Sequence, residues 1–176
     1  MGGVREFRTD SLDDNTLRQL IDAAIQAPSA VNQQPWRFTV VRDQVVLERI
    51  SQNAKAYMLR TSPAALASPH FQSILSNAEF NIFYHAPALV VISAQNGPWI
   101  TEDCALAAEN LMLAAYAAGL GTCWIGFAQG WLATAEGKAE LKLPEDHVPI
   151  APIIVGHPKS ATPAVQRKPA KIDWLS

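Results

Sequence analysis

Residues 27–36 read Ala-Pro-Ser-Ala-Val-Asn-Gln-Gln-Pro-Trp, a run rich in hydroxyl and amide side chains and free of charge. Ser29, Asn32, Gln33 and Gln34 can each donate and accept hydrogen bonds. Such a neutral loop suits a ligand whose polar edge is itself a set of ring nitrogens, carbonyls and hydroxyls, as a flavin and its ribityl chain present. The same residue types also serve an ordinary polar connection, and composition alone does not separate the two readings. Proline disfavours helical geometry in the residue before it, so Pro28 limits any preceding helix and Pro35 favours extended entry into the next element.

Two elements must hold that loop. Upstream, a capping-rich stretch (Asp10, Ser11, Asp13, Asp14) precedes Leu17, Leu20, Ile21, Ala24 and Ile25 at helical spacing, which predicts a helix over about residues 15–27. Downstream, residues 36–41 alternate and end apolar like a strand. A short helix with Val46, Leu47 and Ile50 on one face is expected next. Residues 54–77 carry Ser62-Pro63, Ser68-Pro69 and scattered Tyr57, Met58, Leu59, Leu66 and Phe71, and read either as a lid or as weak helices. Phe80, Phe83 and Tyr84 line a pocket or fill the core. Residues 88–94 are continuously apolar and predict a central strand buried on both faces.

Residues 101–103 make a good helix start, and the helix expected over 104–118 is apolar nearly all round, interrupted by Glu109 and Asn110. It is too short for a membrane span and must be buried in protein, on its own sheet and on another subunit. Its alanines (Ala107, Ala108, Ala114, Ala115) permit close approach. An obligate homodimer with an interface of ~2,000–5,000 Å² is expected. Gly119-Leu120-Gly121 is no dinucleotide loop: the sixth residue is Trp124, and helix precedes strand, the reverse of the fingerprint. A helix over 131–143 stopped by Pro144 comes next, then a strand over 148–155 whose Pro149 and Pro152 predict an edge position or an irregularity. The tail, Pro163 to Ser176, is a solvated end or an extended arm docked by Ile172, Trp174 and Leu175.

The length of 176 residues predicts one domain, residues 1–176. Hydrophobic residues make up 49% and charged residues 17%, so either the core is unusually complete or a partner covers apolar surface. A net charge of −2 without any basic run argues against nucleic acid and anionic membranes. No apolar leader follows Met1 and no run approaches the ~18 residues of a membrane span, which predicts a cytoplasmic protein. Cys104 and Cys123 form no Cys-x-x-Cys pair, favouring reduced core thiols over a disulfide or metal site. His70, His85, His147 and His157 are scattered, so no metal is expected. No Gly-x-Ser-x-Gly elbow or Cys/His motif singles out a catalytic side chain.

The Ala-Pro-Ser-Ala-x-Asn-x-Gln-Pro-Trp run resembles the signature of the FMN-dependent nitroreductase family. Two further stretches resemble it in the same order: Asp103 through Gly126, and Val155-Gly156-His157-Pro158, similar to the family's Val-Gly-x-Pro turn. The resemblance implies an α+β fold with a mixed, largely antiparallel sheet flanked by helices, in an intertwined homodimer with FMN at the subunit interface. It implies that Pro28, Ser29, Ala30, Asn32 and Gln34 grip the ribityl chain and ring edge, partly across that interface. Arg5 would lie near flavin N1 and O2, a backbone N–H of Ile125 or Gly126 near N5, and Arg167, or the nearby Lys168, at the phosphate. The family's opening Arg-Arg-Ser-Val-Arg segment is incomplete. Val4 and Arg5 match, while Met1, Gly2 and Gly3 occupy the places of two arginines and a serine. One charge-assisted phosphate contact is worth on the order of 1.5–3 kcal/mol, so Arg167 inherits that burden.

The implied reaction is ping-pong, with NADH or NADPH reducing FMN and a nitroaromatic or quinone-type acceptor taking its place. Positioning and electrostatics suffice for it, with no acid–base side chain demanded. Two other readings stand beside it. One is a flavin enzyme of other chemistry, such as a dehalogenase or dehydrogenase. The other is a low-turnover flavin-binding or redox-sensing protein, which the incomplete phosphate end favours.

Overall fold

The computed structural model describes residues 2–63, 67–161 and 164–175; the expectations naming Met1, Leu66, Pro163 and Ser176 lie outside the described residues. Helix α1 (Asp14–Ala24) is capped by Asp13, whose carboxylate accepts the Thr16 N–H at 2.6 Å, and buries Leu17, Leu20 and Ala24. It stops short of Ala27. The Gln26 and Ala27 N–H groups bond three residues back, to Ala23 and Ala24, a tightened last turn ahead of Pro28. Strand β1 (Trp36–Val41) follows the loop.

The helix expected to be short, α2 (Gln44–Thr61), runs for 18 residues from an Asp43 cap. Its buried stripe of Leu47, Ile50 and Ala54 passes through Ser51 and Lys55, polar residues at core positions that conceal its continuation in the sequence. Part of the least readable segment is helix α3 (Pro69–Ser76), started by Ser68 with Pro69 in the first turn. Strand β2 (Ala88–Gln95) is buried on both faces up to Gln95. Helix α4 (Ile100–Ala117) packs Cys104, Ala107, Ala108, Leu111 and Ala115 inward, but leaves Leu106, Leu113 and Tyr116 at 46%, 50% and 64% exposure. One chain thus covers half of this apolar helix.

After strand β3 (Gly121–Trp124), the single helix expected over 131–143 is two: α5 (Gly126–Leu132) and α6 (Ala135–Glu140). Thr134 divides them and caps α6, its hydroxyl accepting the Gly137 N–H at 3.1 Å. A Cβ on Gly137 would lie 2.3 Å from the Trp131 carbonyl oxygen and 2.6 Å from Leu132 Cα, so the two helices meet backbone to backbone. Gly137→Ala is therefore expected to destabilise the protein by about 3 kcal/mol, read as a lowered denaturant midpoint at unchanged slope. An unchanged midpoint would mean that the helices do not meet this closely.

Strand β4 (His147–Gly156) completes a four-stranded sheet of order β1-β2-β4-β3, with every described pairing antiparallel. Of the two outcomes expected for the proline-bearing strand, the edge position is not the one found, since β4 lies between β2 and β3. The expected irregularity is present: Ile92 faces Ala151 but Ser93 faces Pro149, a bulge at Ile150. Pro152 is tolerated for a specific reason. Its carbonyl accepts the Ile125 N–H at 2.8 Å, and the Ile125 carbonyl, which a residue with an N–H would have bonded in return, takes the Ala128 N–H at 3.1 Å. Strand β3 gives way to α5 at that point.

Two cores flank the sheet. One lies under α1 and α4, the other under α2, α5 and α6 with Phe7, Ile82 and Phe83. The N-terminal segment runs beside β3, with Val4 N–H on Thr122 O at 2.9 Å and Phe7 bridged to Pro158. Among the described residues, no helix is long and apolar enough to cross a membrane.

Candidate functional site

A cavity of about 130 Å³ opens where the N-terminal segment, the turn before β2 and the β3–α5 junction meet. Arg5, Ile82, Tyr84, Cys123, Trp124, Ile125, Gly126 and Phe127 line it. Three of the expected residues, Arg5, Ile125 and Gly126, are thereby brought together. Arg5 is placed by Val4, which the Thr122 carbonyl holds and for which Gly121 makes room; a Cβ at residue 121 would lie 2.8 Å from the Val4 side chain. The Arg5 guanidinium stands 5.9 Å from the centre of the Tyr84 ring.

Tyr84 and His85 occupy left-handed backbone (φ 52° and 53°), in a turn held by polar groups that the sequence reading missed. Lys55, only 3% exposed, donates to the carbonyls of Asn77 at 2.9 Å and Phe80 at 2.6 Å. Burial pushes its ammonium down from the ordinary lysine value, against the nearby Glu48 and Glu79 carboxylates. Asn81 donates to Glu48 at 2.6 Å and accepts the Phe83 N–H at 2.7 Å. Of the three aromatics left open, Phe83 is core, Tyr84 faces the cavity, and Phe80 packs edge-on against Tyr84 at 5.8 Å. Phe127, also missed, meets Phe71 of α3 edge-on at 6.2 Å, which brings the middle segment to the cavity's rim.

At the floor, Gly126 opens α5 without a side-chain cap, and a Cβ there would meet nothing within 4 Å. Cys123 belongs to the wall as well as to the core. Burial pushes its thiol up and the Arg5 charge opposes this, while burial carries Cys104 up to about 12. Both are buried, unpaired thiols. The glycines at the chain start lie close to two side chains: a Cβ on Gly3 would come within 2.9 Å of Cys123 Sγ on β3, and one on Gly2 within 2.8 Å of Val165 in the tail. The serine that the resemblance leads one to expect at residue 3 would require the Cys123 side chain to shift.

The loop, by contrast, contributes nothing to this cavity; none of Pro28, Ser29, Ala30, Asn32 and Gln34 lines it. Ser29 Oγ accepts the Gln34 N–H at 2.9 Å, and Gln34 Nε2 donates to Asn32 Oδ1 at 3.0 Å. The Ala30 N–H donates to Asp103 Oδ1 of α4 at 2.9 Å. Arg167 and Lys168 lie in the exposed tail of residues 164–175, and neither lines the cavity. Among the described residues, no group of three or more His, Cys, Asp or Glu is placed to hold a metal ion.

The Nitroreductase family model matches residues 3–157. The chain belongs to the nitroreductase family. A relative from Archaeoglobus fulgidus, carrying a provisional NADH dehydrogenase/NAD(P)H nitroreductase name, is 29% identical over 160 residues, 89% of this chain and 80% of its own. A 5,6-dimethylbenzimidazole synthase of Rhodospirillum rubrum is 26% identical across 98% of this chain and 84% of its own. A nitroreductase structure with bound FMN, from Bacteroides fragilis, aligns with a TM-score of 0.86 at 25% identity, covering 99% of this chain and 94% of that one.

For this member of the nitroreductase family, the cavity's chemistry fits an isoalloxazine ring. Ile82, Trp124 and Phe127 offer apolar walls, Arg5 a cation and Gly126 an open backbone. Its volume of about 130 Å³ is well short of the ~300–1,000 Å³ of ordinary ligand pockets. One chain carries a wall and a loop that do not meet.

Proposed function

We propose that residues 1–176 form one FMN-binding domain of a cytoplasmic, homodimeric NAD(P)H-dependent oxidoreductase that reduces nitroaromatic or quinone-type acceptors by ping-pong exchange. The carrying observation is the convergence of Arg5, Ile125 and Gly126 in one apolar-walled cavity. Bound FMN would supply the two-electron chemistry, accepting from NADH or NADPH and delivering to the acceptor. The chain's own residues bind and orient. Arg5 would place a positive charge beside the flavin's pyrimidine edge, and the Ile125–Gly126 backbone would offer a surface, clear of any side chain at Gly126, for the ring to approach. The loop residues Pro28, Ser29, Ala30, Asn32 and Gln34 grip the ribityl chain from the second subunit, and Arg167 or Lys168 takes the phosphate. The incomplete volume of the single-chain cavity supports two copies completing each site.

Purified protein that stays colourless with added FMN, and oxidises neither NADH nor NADPH in its presence, would sink this reading. Arg5→Ala is expected to make the bound flavin's midpoint potential more negative by roughly 20–60 mV, the equivalent of about 1–3 kcal/mol in a two-electron couple. An unchanged potential removes Arg5's role. A second reading, a low-turnover flavin-binding or redox-sensing protein, is favoured by the phosphate end, where Gly2 and Gly3 stand in the places of an arginine and a serine. Yellow protein that neither nucleotide bleaches anaerobically would select it. A relative named as a synthase shows that the family's members carry names other than nitroreductase, and a flavin enzyme of other chemistry is the further alternative for the same site.

A further inference from the structure

The loop with the signature residues is strained. Val31, Asn32 and Gln34 have φ of 45°, 57° and 49°, a region that side chains rarely enter, least of all a β-branched one. Such conformations persist only where the surroundings impose them. Within residues 28–34 the Asn32 and Gln33 N–H groups donate to the carbonyls of Ser29 and Ala30, the Gln34 N–H donates to Ser29 Oγ, and Gln34 Nε2 donates to Asn32 Oδ1. Among the described residues, the hydrogen bond tying this loop to another element is the one from Ala30 N–H to Asp103 Oδ1. Asp103 is a costly anchor: it is 3% exposed, and its Oδ2 has no hydrogen-bond partner among the described residues. Complementing the start of α4 does not require a buried acid, because the exposed neighbour Glu102 already does so.

We infer that Asp103 is a positioning residue, holding the strained loop in the shape that turns Asn32 Nδ2 outward as a donor and Gln34 Oε1 as an acceptor. That pair matches a neutral polyhydroxyl or amide edge. The identity of the ligand rests on the flavin reading; the clamp does not. Asp103→Asn keeps an acceptor for Ala30, whereas Asp103→Ala removes it.

The test compares wild type with both variants, by amide hydrogen exchange of residues 29–35 without ligand and by FMN titration. Ala30 is expected to be protected in wild type and in Asp103→Asn, and to exchange roughly tenfold faster or more in Asp103→Ala. The FMN Kd is expected to rise roughly ten- to a hundredfold in Asp103→Ala and to stay within about threefold in Asp103→Asn. An unprotected Ala30 in wild type, wild-type behaviour in Asp103→Ala, or an Asp103→Asn as impaired as Asp103→Ala each overturns the inference. The expected exchange pattern with no FMN uptake by any of the three would sink the flavin reading and leave the clamp standing. Should Asp103→Ala not fold, Ala30→Pro removes the same bond from the loop side, where the extended Ser29 suits a following proline. An unchanged Kd in that variant also overturns the inference.

Discussion

Gly126→Leu is expected to leave the fold intact and to slow flavin reduction by roughly a hundredfold or more. The two halves of this expectation have separate causes. In the chain alone, a Cβ at residue 126 meets nothing within 4 Å, and the backbone there lies outside the left-handed region. A side chain at this first position of α5 should therefore be neutral for stability, or stabilising by about 0.4–1 kcal/mol through the unfolded state. What the glycine leaves open is the approach of a flat ring to the backbone. An isobutyl group there displaces the ring by more than an ångström from the geometry that transfer requires. Calorimetry should show a thermal midpoint at or slightly above that of wild type, while anaerobic stopped-flow shows slow bleaching of FMN by NADH or NADPH. Wild-type reduction by the leucine variant would remove Gly126 from the site. A midpoint lowered by many degrees would instead show that the glycine serves packing.

The second large effect is expected on α4. Leu106 and Leu113 sit one heptad apart and are 46% and 50% exposed, with Tyr116 a turn beyond. Replacing both leucines by glutamate leaves the helix's buried residues (Cys104, Ala107, Ala108, Leu111 and Ala115) in place. Across a two-fold interface it places four carboxylates in an apolar seam, each costing several kcal/mol to desolvate. The variant should sediment as a folded monomer at micromolar concentration where wild type sediments as a dimer, and it should lose FMN uptake, because one chain's cavity is too small. A monomeric wild type would refute the dimer. A monomeric variant that binds FMN like wild type would refute the shared site.

How much of the fold was legible in the sequence depends on how local each signal is. Strand β2 is apolar from Ala88 to Ile92, and α1 carries its own cap and stripe, so both were readable. The half-uncovered face of α4 was foreseeable because an all-apolar helix in a small chain outruns its own sheet. Helix α2 was not readable to its end, because Ser51 and Lys55 occupy core positions. Lys55 is buried only because the carbonyls of Asn77 and Phe80 are folded back onto it. The division between α5 and α6 depends on Gly137 meeting the Trp131 carbonyl, a contact between helices rather than a property of either. Arg5, Ile125 and Gly126, which family likeness singled out, share the lining of one cavity. Ile82, Trp124 and Phe127 were not singled out, since apolar wall residues carry no signal that distinguishes them from core.

Pro152 carries this point further. Trp124 and Ile125 are both strand-favouring residues, and nothing in them marks where β3 should stop. The stop is placed on the neighbouring strand, as one absent hydrogen that frees the Ile125 carbonyl for Ala128 and turns the chain into α5 at Gly126. The boundary of an element is thus encoded in a different element. Residue 152 shapes the floor of the cavity without lining it, and variation there has to be read jointly with residues 125, 126 and 128. A substitution scan confined to cavity-lining positions would pass over it.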